Sequence, residues 1–342
     1  MTDVPLHVAH VLLTDRFAGS ERYAIDLANL QAPRHRVTML LTAAAGEARP
    51  DALAHRLDPR VDVQLIGGWA PLRFLAVRQR LRQLRPDVAH GHLSLANRAL
   101  NGLSSGPTVR VSTLHIRYKR QQQSRLDGLI AIAPWQLADV PATLPCVQID
   151  NWSAPRPPLP DARERLRAEL GLKPDDVLFG ALGRVEESKG LEVLIDAWQQ
   201  ARPAHARLAI VGHGRDWERL RKRAGPDIVM PGFADRPQDW MAAFDVFVSA
   251  ARSEPFGLVF LEAMFAGLPV LASDSEGATH LADMFGTPLL PRGNVDALAE
   301  ALTRTAAERP PRRTYDLARF DAERQAERIE AFYRELLSHR AA

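Results

Sequence analysis

The residues with the clearest chemical potential lie in Ser253-Glu254-Pro255-Phe256-Gly257-Leu258-Val259-Phe260-Leu261-Glu262-Ala263-Met264, directly after an apolar run that ends near Ser249. The segment reads as strand, loop, helix. Gly257 permits a tight turn, and the free amides at the start of the following helix, at the positive end of its dipole, suit a diphosphate without a metal ion. Glu254 falls in the loop and Glu262 about one turn into the helix, so both carboxylates could border one pocket as acceptors for sugar or ribose hydroxyls. For Glu262 the alternative is a solvated carboxylate favoured by the helix dipole. A second segment, Gly183-Arg184-Val185-Glu186-Glu187-Ser188-Lys189-Gly190, also stands between an apolar run and a helix. Arg184 can grip phosphate oxygens through two parallel hydrogen bonds and Lys189 can add a compact charge, which together would offset a departing nucleoside diphosphate. A solvated strand-to-helix loop is the alternative. Gly212-His213-Gly214 lacks the third glycine of a dinucleotide fingerprint and reads as a helix-entry turn.

Such loops need a scaffold that aims them. At 342 residues, with 46% hydrophobic and 25% charged residues, the chain has ordinary globular proportions and the length for two α/β domains. Apolar runs at 6–13, 37–41, 61–66, 87–90, 109–114, 129–133 and 147–149 read as buried parallel strands between helical stretches. The pattern breaks at Asn151–Pro160, where four prolines in ten residues exclude a helix or central strand. It resumes with strands at 177–182, 208–211, 228–230, 246–249 and 270–272, and helices near 191–201, 217–223, 258–266 and 297–305. A final helix over 322–337 carries Ala326, Ile329, Phe332, Tyr333 and Leu336 on one face. The expectation is an α/β chain of two Rossmann-like, doubly wound domains facing a central cleft. Their bounds are 1–150 for acceptor binding, 151–160 as linker, 161–320 for the nucleotide sugar, and 321–342 as a helix packing back across both. Ligands of open α/β sheets sit at the carboxyl ends of the strands.

Glu254 and Glu262 with Pro-Phe-Gly-Leu between them and Ala263-Met264 after them, together with Gly183-Arg184-x(4)-Lys189-Gly190, resemble the signatures of the GT-B retaining glycosyltransferases known as glycosyl transferases group 1, family four. The resemblance extends over nearly the whole chain. Ala18-Gly19-Ser20-Glu21 is similar to the family's Gly-Gly-x-Glu loop with Ala18 in place of the first glycine. Asp87-Val88-Ala89-His90-Gly91-His92 is similar to its Asp-Val-x-His-x-His strand end, and Thr113-Leu114-His115 to its strand-end histidine. Trp152 replaces a glycine after Asn151, and Ser275 to His280 departs from the family's Gly-Gly-x-x-Glu. The resemblance implies a diphosphate clamp at Arg184 and Lys189, a ribose contact at Glu262, the donor sugar at Glu254, and a sugar hydroxyl at His115. It also implies sugar or phosphate on the amides of Phe256, Gly257 and Leu258, approach of the Gly19 loop, a donor role for Gly183, and the nucleobase beside Phe233. His90 and His92 are read as alternating in direction on a strand, so at most one of them is expected to face the cleft.

The implied activity is metal-independent transfer of a sugar, with retention, from a nucleoside-diphosphate sugar to a glycan or lipid-linked acceptor, in cell-surface glycan or lipopolysaccharide synthesis. No cofactor is expected: no Asp-x-Asp is placed to hold a metal, and no His/Cys cluster has zinc-ligand spacing. A GT-B sugar-nucleotide epimerase and a non-catalytic sugar-nucleotide scaffold are the competing readings. The first 150 residues hold 18 Lys and Arg against 12 Asp and Glu, a surplus that suits an anionic partner. The run Arg73–Arg85, with five arginines beside Phe74, Leu75, Leu81 and Leu84, could lie on an anionic membrane or be an ordinary packing helix. Nucleic acid is not expected, because no reader motif accompanies the charge. The lone Cys146, the absence of a long apolar run and the non-basic start point to a cytoplasmic protein, for which a peripheral position on the inner membrane face is the further option.

Overall fold

The computed structural model describes residues 4–15, 17–47, 52–69, 72–104 and 106–341. It divides into two compact units, Met1–Trp152 with Arg319–Ala342, and Ser153–Ala318.

In unit 1 the chain runs β1 (His7–Leu12), α1 (Gly19–Gln31), β2 (Arg36–Thr42), β3 (Asp62–Ile66), α2 (Arg73–Leu84), β4 (Val88–His92), α3 (Leu93–Asn101), β5 (Val109–Leu114), α4 (Arg120–Gln123), β6 (Gly128–Ala131) and β7 (Cys146–Gln148). The sheet is parallel throughout, in the order β3-β2-β1-β4-β5-β6-β7. Side chains alternate across it as strand geometry requires. Ala9 and Val11 pack with Val77, Leu81, Ala99 and Leu100 of α2 and α3 on one face. Leu12, Val37, Met39 and Leu41 pack with Ala24, Ile25 and Ala28 of α1 on the other.

Unit 2 contains α5 (Ala162–Glu169), β8 (Val177–Leu182), α6 (Leu191–Ala201), β9 (Ala206–Val211), α7 (Trp217–Arg223), β10 (Ile228–Gly232), α8 (Pro237–Ala243), β11 (Val246–Ser249), α9 (Leu258–Phe265), β12 (Val270–Ala272), α10 (Glu276–Phe285) and α11 (Val295–Glu308). Its parallel sheet has the order β10-β9-β8-β11-β12. Helix α12 (Ala322–Ala341) follows and belongs to unit 1. Its expected apolar face, Ala326, Ile329, Phe332, Tyr333 and Leu336, is buried. Gly128 makes room for it, since a Cβ there would stand 2.5 Å from Leu336. An ion pair from Arg34 to Glu323 (2.9 Å) and a contact between His35 and Glu330 (3.2 Å) fix its first half.

Strands β5, β8, β11 and β12 coincide with the expected runs, and the others differ by a residue or two at an end. Helices α5, α8 and α10 were not anticipated. Helix α5 is almost wholly polar, α8 is a seven-residue helix begun by a proline, and α10 carries Gly277 in its first turn.

In both sheets the strand order reverses once, between β1 and β4 and between β8 and β11. The loops that leave those strands diverge there and open a crevice at their carboxyl ends. These are the segments on which the candidate residues fall.

Candidate active site

In unit 2, the loop after β8 carries Gly183, Arg184 and Lys189, and the loop after β11 carries Glu254. Two backbone bonds tie the loops together, from the amides of Arg252 (2.9 Å) and Ser253 (3.1 Å) to the Ser188 carbonyl. Across the junction the Lys189 ammonium donates to the Glu254 carboxylate. Gly183, Arg184, Lys189 and Glu254 line one cavity of about 30 Å³. Arg184 keeps 65% of its side chain exposed while pairing with Glu186 at 3.3 Å, so its guanidinium remains within reach of a ligand.

The glycines of this region permit close approach of backbones. Gly190 has φ +58° and a Cβ there would lie 2.0 Å from the Ala250 carbonyl oxygen. Gly212, φ +134°, would collide at 1.8 Å with the carbonyl oxygen of Gly183. The Val185 amide donates to the His213 carbonyl, and that of Asp216 to the Val185 carbonyl, both at 3.1 Å. Gly212-His213-Gly214 is therefore a brace for the Arg184 loop, a purpose its spacing alone does not reveal. Gly277 braces the Glu254 loop in the same way: its amide donates to the Glu254 carbonyl at 2.7 Å, and a Cβ would stand 2.2 Å from the Phe256 oxygen. Glu276, beside it, accepts from the Glu254 amide at 3.2 Å.

Gly257 takes the left-handed conformation, φ 85°, as the cap of α9, and Leu258 is the first helical residue. The amides of Leu258 and Val259 lack intrahelical acceptors by geometry and carry the positive end of the dipole, while that of Phe260 donates to the Gly257 carbonyl at 2.8 Å. The Phe256 ring is buried against His280, which leaves only its backbone open to a ligand. Glu262 does not join the Arg184 cavity. It lines a separate cavity of about 260 Å³ with Pro155, Arg156, Gln238, Met241 and Arg312. Phe233 follows β10 and is 76% exposed.

Unit 1 places Gly19 at the first turn of α1, just after β1, where Glu21 is buried and accepts from Ser20 at 2.9 Å. His115 follows β5 and is 9% exposed. The premise that His90 and His92 point in opposite directions does not hold, because residues two apart on a strand point the same way. Both rings are fully buried, and strand register sets His10 of β1 beside His90 of β4. Two hydrogen-bonded rows result, packed ring against ring. His10 Nε2 meets Gln31 Oε1 at 2.8 Å, His10 Nδ1 meets His92 Nε2 at 3.2 Å, and His92 Nδ1 meets His115 Nε2 at 3.4 Å. His90 bonds the Tyr333 hydroxyl at 2.6 Å and Thr113 at 2.8 Å, and Thr113 donates to the Tyr23 hydroxyl at 3.3 Å. Trp152, which occupies the family's glycine position, is buried with its ring 4.5 Å from that of Tyr23 and closes the cluster.

Burial disfavours charge on these rings. It lowers the pKa of His10 to about 4 and of His115 to about 3, and drives those of His90 and His92 well below 6.5, where neighbouring histidines add to it. His10 stands 80 residues before His90 in the chain, yet His10, His90 and His92 bring ring nitrogens within 4.8 Å of one another. The His90 and His92 rings stack, with centroids 4.3 Å and planes 30° apart, so their in-plane lone pairs run side by side rather than converging. With both His90 nitrogens engaged as well, the group fits a hydrogen-bonded network better than a metal centre.

Helix α2 presents two unlike surfaces. Val77 and Leu81 are buried, and Arg78 is occupied, donating to the carbonyls of Ala99 (3.0 Å) and Arg98 (2.9 Å). Trp69, Leu72 and Leu75 are exposed at 71%, 49% and 47%, and Arg82 and Arg85 are exposed as well. Among the described residues no helix is long and apolar enough to cross a membrane.

Comparison with known proteins agrees with this geometry. Residues 17–143 match the family described as Glycosyltransferase Family 4, and residues 176–308 that described as Glycosyl transferases group 1. The chain is 30% identical over 330 residues to the GDP-mannose-dependent alpha-(1-6)-phosphatidylinositol monomannoside mannosyltransferase of Mycobacterium tuberculosis, covering 88% of this chain and 81% of that protein. It is 31% identical over 238 residues to the lipopolysaccharide core biosynthesis mannosyltransferase LpsB of Rhizobium meliloti, covering 62% of this chain and 67% of that one. Its match to the D-inositol 3-phosphate glycosyltransferase of Xylanimonas cellulosilytica, 36% identical, spans 38% of this chain and only 33% of that protein. In fold it is similar to Anabaena Alr3699/HepE in complex with UDP and glucose, with a TM-score of 0.73, 19% identity and 98% of each chain covered. The chain belongs to the group 1, family 4 glycosyltransferases of GT-B fold.

Proposed function

We propose that this enzyme moves a sugar, with retention and without a metal ion, from a nucleoside-diphosphate sugar to a glycan or lipid-linked acceptor in cell-surface glycan synthesis. The observation that carries the reading is the convergence of Arg184, Lys189 and Glu254 on one cavity at the strand-order reversal of unit 2, beside the first turn of α9. Arg184, Lys189 and the amides of that turn stabilise the diphosphate as the bond from the anomeric carbon to its oxygen breaks. The acceptor oxygen attacks the oxocarbenium-like carbon on the face the diphosphate leaves, and its proton passes to the departing phosphate oxygen. Glu254 orients the sugar and Lys189 together, Glu262 takes the ribose, Phe233 flanks the base, and His115 accepts from a sugar hydroxyl.

UDP and glucose in the HepE structure support a nucleotide-sugar donor, and the named acceptor of the mycobacterial relative supports a lipid-linked one. Exposed Trp69, Leu72 and Leu75 beside Arg82 suit the surface of an anionic membrane and a peripheral cytoplasmic setting. Because Arg78 is a packing residue, the informative variant is Trp69→Ala with Arg82→Glu: loss of binding to phosphatidylglycerol vesicles supports docking, and unchanged binding rejects it.

The donor reading is tested by thermal shifts with UDP, GDP, ADP and TDP and their sugars, with and without EDTA, followed by NMR of the product's anomeric configuration. Stabilisation by one nucleotide family that EDTA does not change, with retention in the product, is expected. A shift abolished by EDTA refutes metal independence, and an inverted product refutes the mechanism.

A further inference from the structure

The buried network of unit 1 contains a directional feature that the transfer reaction leaves unused. Each neutral imidazole has one proton and one bare nitrogen, so a row of them has only two self-consistent polarities. Gln31 Oε1 can only accept, so the His10 nitrogen facing it, Nε2, carries that ring's proton. His10 Nδ1 is then bare and must accept from His92 Nε2, and His92 Nδ1 in turn accepts from His115 Nε2. The last nitrogen in the row, His115 Nδ1, has no hydrogen bond among the described residues and belongs to a residue that is 9% exposed. Rotating the Gln31 carboxamide would reverse all three rings together and turn that terminal acceptor into a donor.

We propose that Gln31, His10 and His92 are positioning residues that hold His115 in one tautomer, Nε2 protonated and Nδ1 bare, so that the nitrogen offered to the ligand is an acceptor. The carboxamide orientation rests on the 2.8 Å contact of Gln31 Oε1 with His10 Nε2; the Gln31 nitrogen is buried with no hydrogen-bond partner among the described residues. The relay thus selects a donor sugar that presents a hydroxyl at this point and disfavours one that presents a carboxylate, whose oxygens would face a lone pair. This consequence rests on the reading of His115 as a sugar contact, whereas the relay itself does not.

The test is long-range 15N NMR of histidine-labelled protein at pH 7.5, with the His115 resonances assigned by their loss in His115→Gln. The expected spectrum of the free enzyme shows His115 with a protonated Nε2 and an unprotonated Nδ1, and Gln31→Met converts it to a mixture of tautomers. A protonated Nδ1 or mixed tautomers in the wild-type protein overturns the relay, as does a spectrum that Gln31→Met leaves unchanged. The wild-type result stands alone if Gln31→Met does not fold. Turnover supplies the second arm: Gln31→Met should lower kcat/KM about three- to tenfold in the wild-type background and have little effect in His115→Gln, where a rotatable amide replaces the fixed ring. An unchanged penalty in that background, with the NMR as expected, overturns the sugar contact and leaves the relay standing.

Discussion

Acidification to pH 5 should loosen unit 1 while leaving unit 2 folded. The cause is the set of buried neutral histidines, for which His10 and His115 have folded pKa values of about 4 and about 3 against an ordinary 6.5. Between those limits the unfolded chain binds protons that the folded one refuses, so stability rises with pH there and is lost as pH falls below 6.5. At pH 5 each such ring is about one and a half units below its unfolded value. At about 1.36 kcal/mol per unit this costs about 2 kcal/mol, whatever the depth of the folded value. His90 and His92, lowered by the same burial, add to the sum, giving a ceiling of about 8 kcal/mol for the four rings against a domain stability of roughly 5–15 kcal/mol. Unit 2 has no buried histidine among its described residues. Burial pushes the Asp245 carboxyl up, but the Leu178 amide, Arg163 and Arg167 outweigh it and leave the pKa below 3.8, so its contribution is lost only at still lower pH. Hydrogen–deuterium exchange at pH 7.5 and 5.0, corrected for intrinsic rates, should show β1, β4 and β5 losing protection while β8 and β11 keep theirs. Equal loss in both units, or none above pH 5, would refute this account.

Other perturbations follow from the same geometry. Arg184→Ala and Lys189→Ala should each weaken nucleoside-diphosphate binding by about 1.5–3 kcal/mol, read by titration calorimetry, with the fold intact by circular dichroism. Glu254→Gln releases Lys189 from its ion pair, and should lower kcat more than it raises the donor KM in steady-state kinetics. Gly277→Ala drives a methyl group into the Phe256 carbonyl, costing about 1–3 kcal/mol by urea denaturation and weakening donor binding. Trp152→Ala removes the ring that covers Tyr23 and should destabilise unit 1 by about 3–5 kcal/mol on the same assay.

Much of this protein is carried by local pattern. Buried parallel strands read as apolar runs because both faces are covered, so Val109–Leu114 and Val177–Leu182 could be bounded without coordinates. The Arg184, Lys189 and Glu254 loops were legible because glycine, charge and strand end fall within a few residues of one another. Helices α5, α8 and α10 were not, since tertiary packing rather than propensity or period sustains them. Glycines at 212, 214 and 277 also carry no local sign of purpose: each is required by a carbonyl from another segment. The histidine network is the clearest case of what only tertiary structure decides. His10 and His92 stand on two strands, His115 just past the end of a third and Gln31 on a helix, and parallel register with burial turns four polar residues from separate elements into one hydrogen-bonded row. Sequence spacing reports contacts within a strand or a helical turn, whereas the partner of a buried ring is set by which strands lie side by side.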